Sequence, residues 1–477
     1  MTGPASTLPQ LVQRAADRFG AAEAIVDGPL RLSFTALADR VRRAAGAFAA
    51  AGIDKGDRVA IWAPNSAEWI IAAFGALTAG AVLVPVNTRF RAAEAADVID
   101  RSGAKLVLVQ QGFLGIEHTA PGGLPLIDLK SDFLSSGTPF EREVSGTDIA
   151  DIVYTSGTTG KPKGVMMNHA QTLRMYSEWC DLADLRQGDR YLIVNPFFHT
   201  FGYKAGVVAA LIRGATILPV AVFDVDRVLE LVQRERVTML PGPPTLLAAL
   251  LSAASSHDLS SLRATVTGAA DIPVELIRRV STELPFQSIM TGYGLTEAGT
   301  ATASRPGDTI EQIATTVGTP CAGIEVRIAE DGEVLVRGYS VMQGYLDDPE
   351  ATAAAIDAQG WLHTGDLGSL DPDGRLRIVG RKKDMFIVGG FNAYPAEIEG
   401  VLLQHPAVAQ VAVVGVADER LGEVGKAFVV AESAVTDAEL LEWARAHLAG
   451  YKVPRSVRFL DELPLNATGK VQKDRLR

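Results

Sequence analysis

A polar, glycine-rich segment directly follows a short apolar strand that we predict at positions 149–153. It reads Tyr154-Thr155-Ser156-Gly157-Thr158-Thr159-Gly160-Lys161-Pro162-Lys163-Gly164. Small residues let the backbone come close to a polyphosphate, hydroxyl and amide groups supply hydrogen-bond donors, and lysines supply positive charge. A polar turn that merely joins two strands needs neither the run of Gly, Ser and Thr nor the two lysines. The segment therefore predicts a phosphate-binding loop.

The spacing inside this loop excludes the Walker type of phosphate loop. That pattern places four residues between its glycines and a Ser or Thr directly after the lysine. Here Gly157 and Gly160 enclose two residues, and Pro162 follows Lys161. The loop must belong to another class of phosphate-binding protein.

Helices and strands alternate along the chain before the loop. Ser33 or Thr35 can cap an alanine-rich helix that ends at Gly52, and further helices begin at Ser66 and near Ala92. Apolar strands are predicted at 58–62, 81–86 and 105–109, with an irregular excursion over 112–146. This alternation predicts the α/β class, with parallel sheets covered by helices.

The pattern changes after about Ala314. Short strands predicted at 325–328, 333–337 and 375–379 are separated by Asp-Gly turns, which is typical of a β-rich subdomain. A basic stretch follows, and strands and helices alternate beyond it. We therefore predict a large N-terminal domain over residues 1–380, a hinge over 381–384 and a small, mobile α+β C-terminal domain over 385–477.

Composition limits the partners and the location of the protein. The chain has 477 residues, of which 47% are hydrophobic and 21% charged, as expected of a multi-domain globular protein. Its net charge of −11 offers no broad cationic surface for nucleic acid. The stretch 69–88 is long enough to span a bilayer, but Gly and Pro interrupt it, so we expect no stable membrane insertion. Two cysteines and the lack of a secretory signal favour the cytoplasm.

The phosphate loop and six later motifs resemble those of the adenylate-forming superfamily, which contains acyl-CoA synthetases, peptide-synthetase adenylation domains and beetle luciferases. The resemblance covers essentially the whole chain, and the motifs occur in the order typical of the family. The later motifs are Asn195-Pro196-Phe197-Phe198-His199-Thr200-Phe201-Gly202, Gly268-Ala269-Ala270, Tyr293-Gly294-Leu295-Thr296-Glu297, Trp361-Leu362-His363-Thr364-Gly365-Asp366, Val388-Gly389-Gly390-Phe391-Asn392-Ala393-Tyr394-Pro395 and Leu463-Pro464-Leu465-Asn466-Ala467-Thr468-Gly469-Lys470.

This resemblance implies a site for ATP. The Tyr293 ring would stack on adenine, and Asp366 would bind both ribose hydroxyls because a carboxylate has two acceptor oxygens. Arg381 would add a contact to ribose or phosphate. Asp271 stands where relatives often have Pro, which weakens the adenine motif. The implied nucleotide-binding residues are Thr155, Ser156, Gly157, Thr158, Thr159, Gly160, Gly268, Ala269, Ala270, Tyr293, Gly294, Thr296, Asp366 and Arg381.

The same resemblance implies the catalytic groups. Thr296 would contact the α-phosphate and Glu297 would hold Mg²⁺, a hard cation for which one carboxylate beside phosphates and water is sufficient. His199 would line the carboxylate pocket, and Lys470 would reach the carboxylate and the α-phosphate. The implied catalytic residues are Lys163, His199, Thr296, Glu297 and Lys470.

Three further groups of residues complete the implied site. Gly389, Gly390 and Phe391 would line the tunnel for the pantetheine arm of CoA. The substrate pocket would contain His199, Phe201, Tyr203 and Lys204. Lys383 would be the residue about which the small domain rotates.

Taken together, the motifs predict an ATP-dependent carboxylate:CoA ligase that forms an acyl-adenylate and then a thioester. Segments 198–204 and 389–392 are similar to those of the actinobacterial ligases that activate the bicyclic propanoate left after steroid-ring breakdown. Alternatives are a medium- or long-chain fatty acyl-CoA synthetase, a stand-alone adenylation enzyme that loads a carrier protein, and a nucleotide-binding protein that has lost catalysis. The sequence does not determine the acid, the acceptor or the oligomeric state, and a homodimer is compatible with it.

Overall fold

A computed structural model describes residues 5–155, 162–253, 256–268, 274–465 and 471–476. The strands are β1 (Glu23–Asp27), β2 (Leu30–Ser33), β3 (Arg58–Trp62), β4 (Val82–Pro85), β5 (Ala104–Val109), β6 (Leu126–Asp128), β7 (Ile149–Thr155), β8 (Lys163–Asn168), β9 (Arg190–Ile193), β10 (Thr216–Pro219), β11 (Ala264–Gly268), β12 (Ser288–Leu295), β13 (Gly299–Ala303), β14 (Thr319–Pro320), β15 (Ile324–Ile328), β16 (Glu333–Gly338), β17 (Gly344–Tyr345), β18 (Leu362–Leu370), β19 (Leu376–Arg381), β20 (Phe386–Val388), β21 (Phe391–Ala393), β22 (Val408–Asp418), β23 (Gly422–Ala431) and β24 (Ser456–Phe459).

Helices alternate with these strands through most of the chain. The α-helices are α1 (Leu8–Phe19), α2 (Phe34–Ala50), α3 (Ala67–Thr78), α4 (Ala92–Ser102), α5 (Phe133–Ser136), α6 (His169–Leu182), α7 (Ala209–Arg213), α8 (Val225–Glu235), α9 (Pro244–Ala253), α10 (Val274–Glu283), α11 (Ile310–Thr315), α12 (Pro349–Ala355), α13 (Pro395–Leu402) and α14 (Asp437–His447). In the described ranges there are also three 3₁₀ helices, Phe113–Gly115, Pro121–Gly123 and Lys473–Arg475, and one π-helix, Phe201–Val208.

The strands on either side of the phosphate loop, β7 and β8, belong to a seven-stranded sheet. Its order is β17-β8-β7-β4-β3-β5-β6, and the predicted parallel arrangement is confirmed for β7, β4, β3 and β5, with the unpredicted strand β6 parallel to β5. Strand β8 runs antiparallel to β7 and pairs Lys163 with Thr155. The residues that flank the loop therefore lie side by side on two adjacent strands.

Helix caps explain why the first half folds as the sequence predicts. The Ser33 hydroxyl accepts the Ala36 amide, and the Ser66 hydroxyl accepts the Trp69 amide at 3.1 Å. The stretch 69–88 forms most of α3, a turn and β4, and it is buried inside the protein. Within the described part of the chain, no helix combines the length and the apolar character needed to cross a bilayer.

Two further sheets belong to the large domain. One has the order β2-β1-β10-β9, and the other has the order β11-β12-β13-β14. Strands β11 and β12 are parallel, so their carboxyl ends meet at Gly268 and Gly292. The irregular excursion supplies the short edge strand β6 and helix α5, neither of which the sequence pattern predicted.

The β-rich subdomain and the C-terminal domain are separate sheets. The first has the antiparallel order β15-β16-β18-β19, and its last strand ends at Arg381. The second contains β21-β20-β23-β22 with β24 beside β23, and it packs its own core around α13 and α14. The large and small domains are thus confirmed as an α/β and an α+β unit, while the boundaries at 380 and 385 and the hinge stay predictions.

Candidate active site

A buried carboxylate lies where β18 pairs with β19. The register places Asp366 opposite Arg381, and Arg381 Nε lies 3.1 Å from Asp366 Oδ1. The Tyr293 hydroxyl donates to the other oxygen, Oδ2, at 2.7 Å. Each carboxylate oxygen has two lone pairs, so both can still accept a further hydroxyl donor. This group can bind the two hydroxyls of a ribose, and we call Asp366, Arg381 and Tyr293 the ribose cluster.

The protonation of Tyr293 follows from its surroundings. Burial and the neighbouring Asp366 carboxylate raise the pKa of Tyr293 well above its ordinary value. The phenol therefore stays protonated at neutral pH and acts as a donor toward Asp366.

Glycines next to Tyr293 let strands β11, β12 and β13 pack closely against one another. Gly268 pairs with Gly292, and a Cβ at Gly268 would lie 3.1 Å from the Gly292 carbonyl oxygen. At Gly294 a Cβ would lie 2.2 Å from the Gly299 carbonyl oxygen, so only glycine fits. The pairing brings Gly268 within one residue of Tyr293, as the adenine motif requires. Ala269 and Ala270, predicted in the same motif, lie outside the described residues.

Lys163, at the described C-terminal end of the phosphate loop, is linked to the predicted metal ligand Glu297 through Tyr345. The Lys163 ammonium lies 5.0 Å from the centre of the Tyr345 ring, and the Tyr345 hydroxyl donates to Glu297 Oε1 at 3.0 Å. Burial and the Glu297 carboxylate raise the pKa of Tyr345. Sequence reasoning missed Tyr345, because its only signal is a Gly-Tyr pair on a two-residue edge strand. Ser156, Gly157, Thr158, Thr159 and Gly160 lie outside the described residues.

The residues at this end are compatible with Mg²⁺ bound to a nucleotide. Across the described ranges, no group of three or more Asp, Glu, His or Cys side chains could form a cage made by protein ligands alone. Mg²⁺ in such sites needs only one or two carboxylates, with phosphate and water as the other ligands. Glu297 is half-buried at the turn between β12 and β13, with Thr296 beside it. The Glu297 carboxylate can therefore be the one protein ligand that a nucleotide-bound Mg²⁺ needs.

The predicted carboxylate pocket begins at His199. The ring Nδ1 accepts the Phe201 amide at 3.2 Å, so the neutral imidazole carries its proton on Nε2. Sequence reasoning missed Asn65, a polar residue just before α3. Its amide oxygen accepts the Phe197 amide at 2.7 Å, and its Nδ2 donates to the Asn195 carbonyl at 2.9 Å. Asn65 thus fixes the backbone that leads to His199.

The π-helix after His199 places Phe201, Tyr203 and Lys204 in different surroundings. Phe201 is half-buried, but Tyr203 is 0% exposed and packs against Trp69, with ring centres 5.6 Å apart. The Lys204 ammonium is also buried, 2.8 Å from the Asp151 carboxylate of β7. The structure thus gives Lys204 a partner in the core, and the contact of Tyr203 and Lys204 with a substrate stays a prediction.

The predicted CoA loop is the turn of a hairpin. Gly389 and Gly390 join β20 to β21 with φ values of 56° and 89°, a left-handed backbone that favours glycine. Phe391 is 61% exposed and stacks on Tyr451, with ring centres 5.0 Å apart. Lys383 is exposed between β19 and β20, and Lys470 lies outside the described residues.

Comparison with known proteins gives the same assignment across the chain. The family of AMP-binding enzymes matches residues 12–346, and the AMP-binding enzyme C-terminal domain matches residues 397–470. One relative is a 7a-methyl-1,5-dioxo-octahydro-1H-inden-4-yl propanoyl:CoA ligase from Rhodococcus jostii strain RHA1. It is 46% identical over 511 residues, covering 100% of this chain and 99% of the relative. The enzyme of the same name from Mycobacterium tuberculosis is 47% identical, with 99% and 98% covered.

Solved structures agree with this match. The o-succinylbenzoate CoA synthetase of Bacillus subtilis, in complex with its acyl-adenylate intermediate, is 31% identical with a TM-score of 0.86 and 98% of each chain covered. The anthranilate CoA ligase in complex with anthranoyl-AMP has a TM-score of 0.90 at 28% identity, with 99% of this chain and 96% of that chain covered. By sequence and by fold, this chain belongs to the AMP-binding enzymes of the adenylate-forming superfamily.

Proposed function

We propose that the chain is an ATP-dependent, AMP-forming CoA ligase whose acid is a bicyclic propanoate that carries two ring ketones. The observation that carries this proposal is the identity of 46–47%, over nearly the full length of both chains, to two ligases named for that acyl group. The ribose cluster supports the nucleotide half of the reaction. ATP and CoA are thus the co-substrates.

The reaction has two steps. In the first, a carboxylate oxygen of the acid attacks the α-phosphorus of ATP, the bond to the β-phosphate breaks, and pyrophosphate leaves. In the second, the CoA sulfur attacks the acyl carbon, AMP leaves, and the thiol proton is released. The protein forms no covalent bond, so its residues act by positioning and by stabilising charge.

The described residues divide this work by position. Asp366, Arg381 and Tyr293 would hold the ribose, and the backbone at Gly268 would lie against the adenine. Lys163 and Thr296 would neutralise and orient the phosphates, and His199 would line the pocket of the acid. Glu297 would hold Mg²⁺, which supplies positive charge against the phosphates when bound.

A panel of carboxylic acids tests the substrate. We expect kcat/KM for CoA thioester formation to be on the order of 10²-fold higher with the bicyclic diketone propanoate than with octanoate or ferulate. If the site hydrogen-bonds the ring ketones, as proposed, its polar groups are left unpaired when an alkyl chain fills it. Preference for unbranched fatty acids would instead identify a fatty acyl-CoA synthetase.

The same assays separate the remaining alternatives. Replacing CoA by a carrier protein should give no acyl transfer if CoA is the acceptor. Acid-dependent release of pyrophosphate from ATP should be measurable. Its absence from a folded preparation would indicate a nucleotide-binding protein without catalysis. Location in the cytoplasm and a homodimer stay predictions.

The hairpin glycines offer a test of the CoA loop. We expect Gly390→Asn to slow thioester formation roughly tenfold and to change adenylation less than twofold, because the added atoms would enter the pantetheine path. Asn tolerates a positive φ, and a Cβ at Gly390 meets no described atom within 4 Å, so the free hairpin should keep its fold. Single-turnover measurement of each half-reaction checks this prediction.

Gly374 provides the matched control for this variant. Its φ is 78°, a Cβ there also meets no described atom within 4 Å, and it lies in the turn between β18 and β19. Gly374→Asn should leave both half-reactions unchanged. Equal losses in both half-reactions for Gly390→Asn would rule out a role confined to CoA.

A further inference from the structure

A second buried carboxylate, that of Glu333, lies next to the ribose cluster. Glu333, at the start of β16, is 5% exposed, and its register partner on β18 is Leu367. Its Oε1 accepts the Gly365 amide at 2.9 Å, and Gly365 directly precedes Asp366. Glu333 therefore contacts the backbone that carries the ribose carboxylate.

The other oxygen of Glu333 contacts the residue next to Arg381. Glu333 Oε2 lies 3.2 Å from the Lys382 ammonium and 3.3 Å from His363 Nδ1. Lys382 also donates to Asp331 Oδ2 at 2.7 Å, so two carboxylates of one turn hold its ammonium. One buried carboxylate thus contacts the neighbours of both charged members of the ribose cluster.

Backbone bonds beside Glu333 strengthen this arrangement. The Thr364 hydroxyl donates to the Val334 carbonyl at 2.7 Å and accepts the Asp366 amide at 3.1 Å. Burial by itself would raise the pKa of Glu333, but the bonds from Gly365, His363 and Lys382 outweigh it and lower that pKa. Glu333 is therefore ionised at neutral pH and can pair with Lys382.

We propose that Glu333 is a positioning residue for ribose recognition, which holds Asp366 and Arg381 at the separation that two vicinal hydroxyls require. It does not touch the nucleotide, and it acts through the Gly365 amide and the Lys382 ammonium. The carboxylate of Asp366 tolerates little displacement, because directed hydrogen bonds weaken steeply with angle and distance. This inference rests on the proposed function only in taking Asp366 and Arg381 as ribose contacts.

Lys382 lies between the ribose cluster and the predicted hinge residue Lys383. Its two ion pairs attach it to the turn between β15 and β16. The Arg381 carbonyl accepts the Asp384 amide at 3.0 Å and the Met385 amide at 3.1 Å, so Arg381 is also bonded to the chain beyond Lys383.

The test compares ATP with 2′,3′-dideoxy-ATP, which lacks both ribose hydroxyls. Binding of each nucleotide to the full chain is measured by calorimetry for wild type and for Glu333→Gln. We expect ATP to bind roughly tenfold more weakly to the variant, and the dideoxy nucleotide to change less than twofold, as for groups coupled in one hydrogen-bond network. A structural defect alone would weaken both nucleotides equally, and that result would overturn the proposal.

Two further variants keep the test decisive. Lys382→Met removes one partner of Glu333 at a half-exposed position, so it should fold even if Glu333→Gln does not. It should weaken ATP binding roughly threefold without affecting the dideoxy nucleotide, and an equal effect on both would again overturn the proposal. Glu325→Gln is the matched control, because Glu325 lies in the same sheet but pairs with exposed Arg337. It should change neither affinity.

The failure of this inference and that of the proposed function are distinguishable. If wild type binds neither nucleotide, the proposed function is wrong and the role of Glu333 falls with it. If wild type prefers ATP and the Glu333→Gln variant keeps the same preference, only the positioning role is wrong.

Discussion

Replacing Lys470 by Ala should slow adenylate formation by about 10²–10³-fold, the range found when one preorganised electrostatic donor is removed. The ammonium is expected beside the carboxylate and the α-phosphate during the first half-reaction, where negative charge develops. Thioester formation from prepared acyl-adenylate and CoA should stay within roughly tenfold of wild type, because Lys470 would not face the reacting atoms in that step. Pyrophosphate release and single-turnover thioester formation are measured on one folded preparation.

Lys426→Ala is a suitable control for this variant. Lys426 lies on β23 of the same domain, with its ammonium 5.1 Å from the centre of the Phe428 ring. Its removal changes the charge of the domain equally, and both half-reactions should continue at the wild-type rate. Nearly intact pyrophosphate release in Lys470→Ala, or equal damage to both halves, would contradict the role predicted for Lys470.

Replacing Lys204 by Met should lower the free energy of unfolding by about 3–5 kcal/mol, as expected when a buried ion pair loses one partner. The Asp151 carboxylate would then be buried at the centre of the seven-stranded sheet without its cation. Urea denaturation at neutral pH, followed by intrinsic fluorescence, measures the loss.

The pH dependence of this loss has a definite sign. Burial raises the pKa of Asp151 in the folded protein, with Lys204 opposing the shift, so the variant should raise it further. A raised carboxyl pKa means that the folded state binds the proton more tightly than the unfolded state. The deficit of Lys204→Met is therefore largest at neutral pH and should shrink as the pH falls through the folded pKa of Asp151.

A surface pair of the same chemistry controls for the buried location. The Lys55 ammonium lies 2.7 Å from Asp148 Oδ2, but the two side chains are 46% and 31% exposed. Lys55→Met should cost no more than about 1 kcal/mol. The double variant Lys204→Met with Asp151→Leu should recover most of the loss, because two apolar side chains can replace a buried ion pair. A single variant as stable as wild type would contradict the importance of the pair.

Local features of this protein follow from its sequence. The cap at Ser66 and the strand 58–62 occur in the structure as predicted, and of the two predicted candidates Ser33 caps α2. A capping hydroxyl and an apolar run depend on residues only a few positions apart, which is why the sequence shows them. The α/β class, the β-rich subdomain and the family were also readable, since each motif is contiguous. Asp366 and Arg381 could be named as partners in one site from their motifs alone.

The tertiary structure alone decided which side chains meet. The contacts Glu297–Tyr345, Asp366–Tyr293 and Lys204–Asp151 join strands and helices that are distant in sequence, so no local pattern encodes them. Segment 198–204 shows the limit most clearly. Its residues are adjacent in sequence, but the π-helix gives them different surroundings, with Phe201 half-buried and Tyr203 and Lys204 buried. A charged side chain can be buried only where an opposite charge lies close to it, and the assembled sheet decides whether it does.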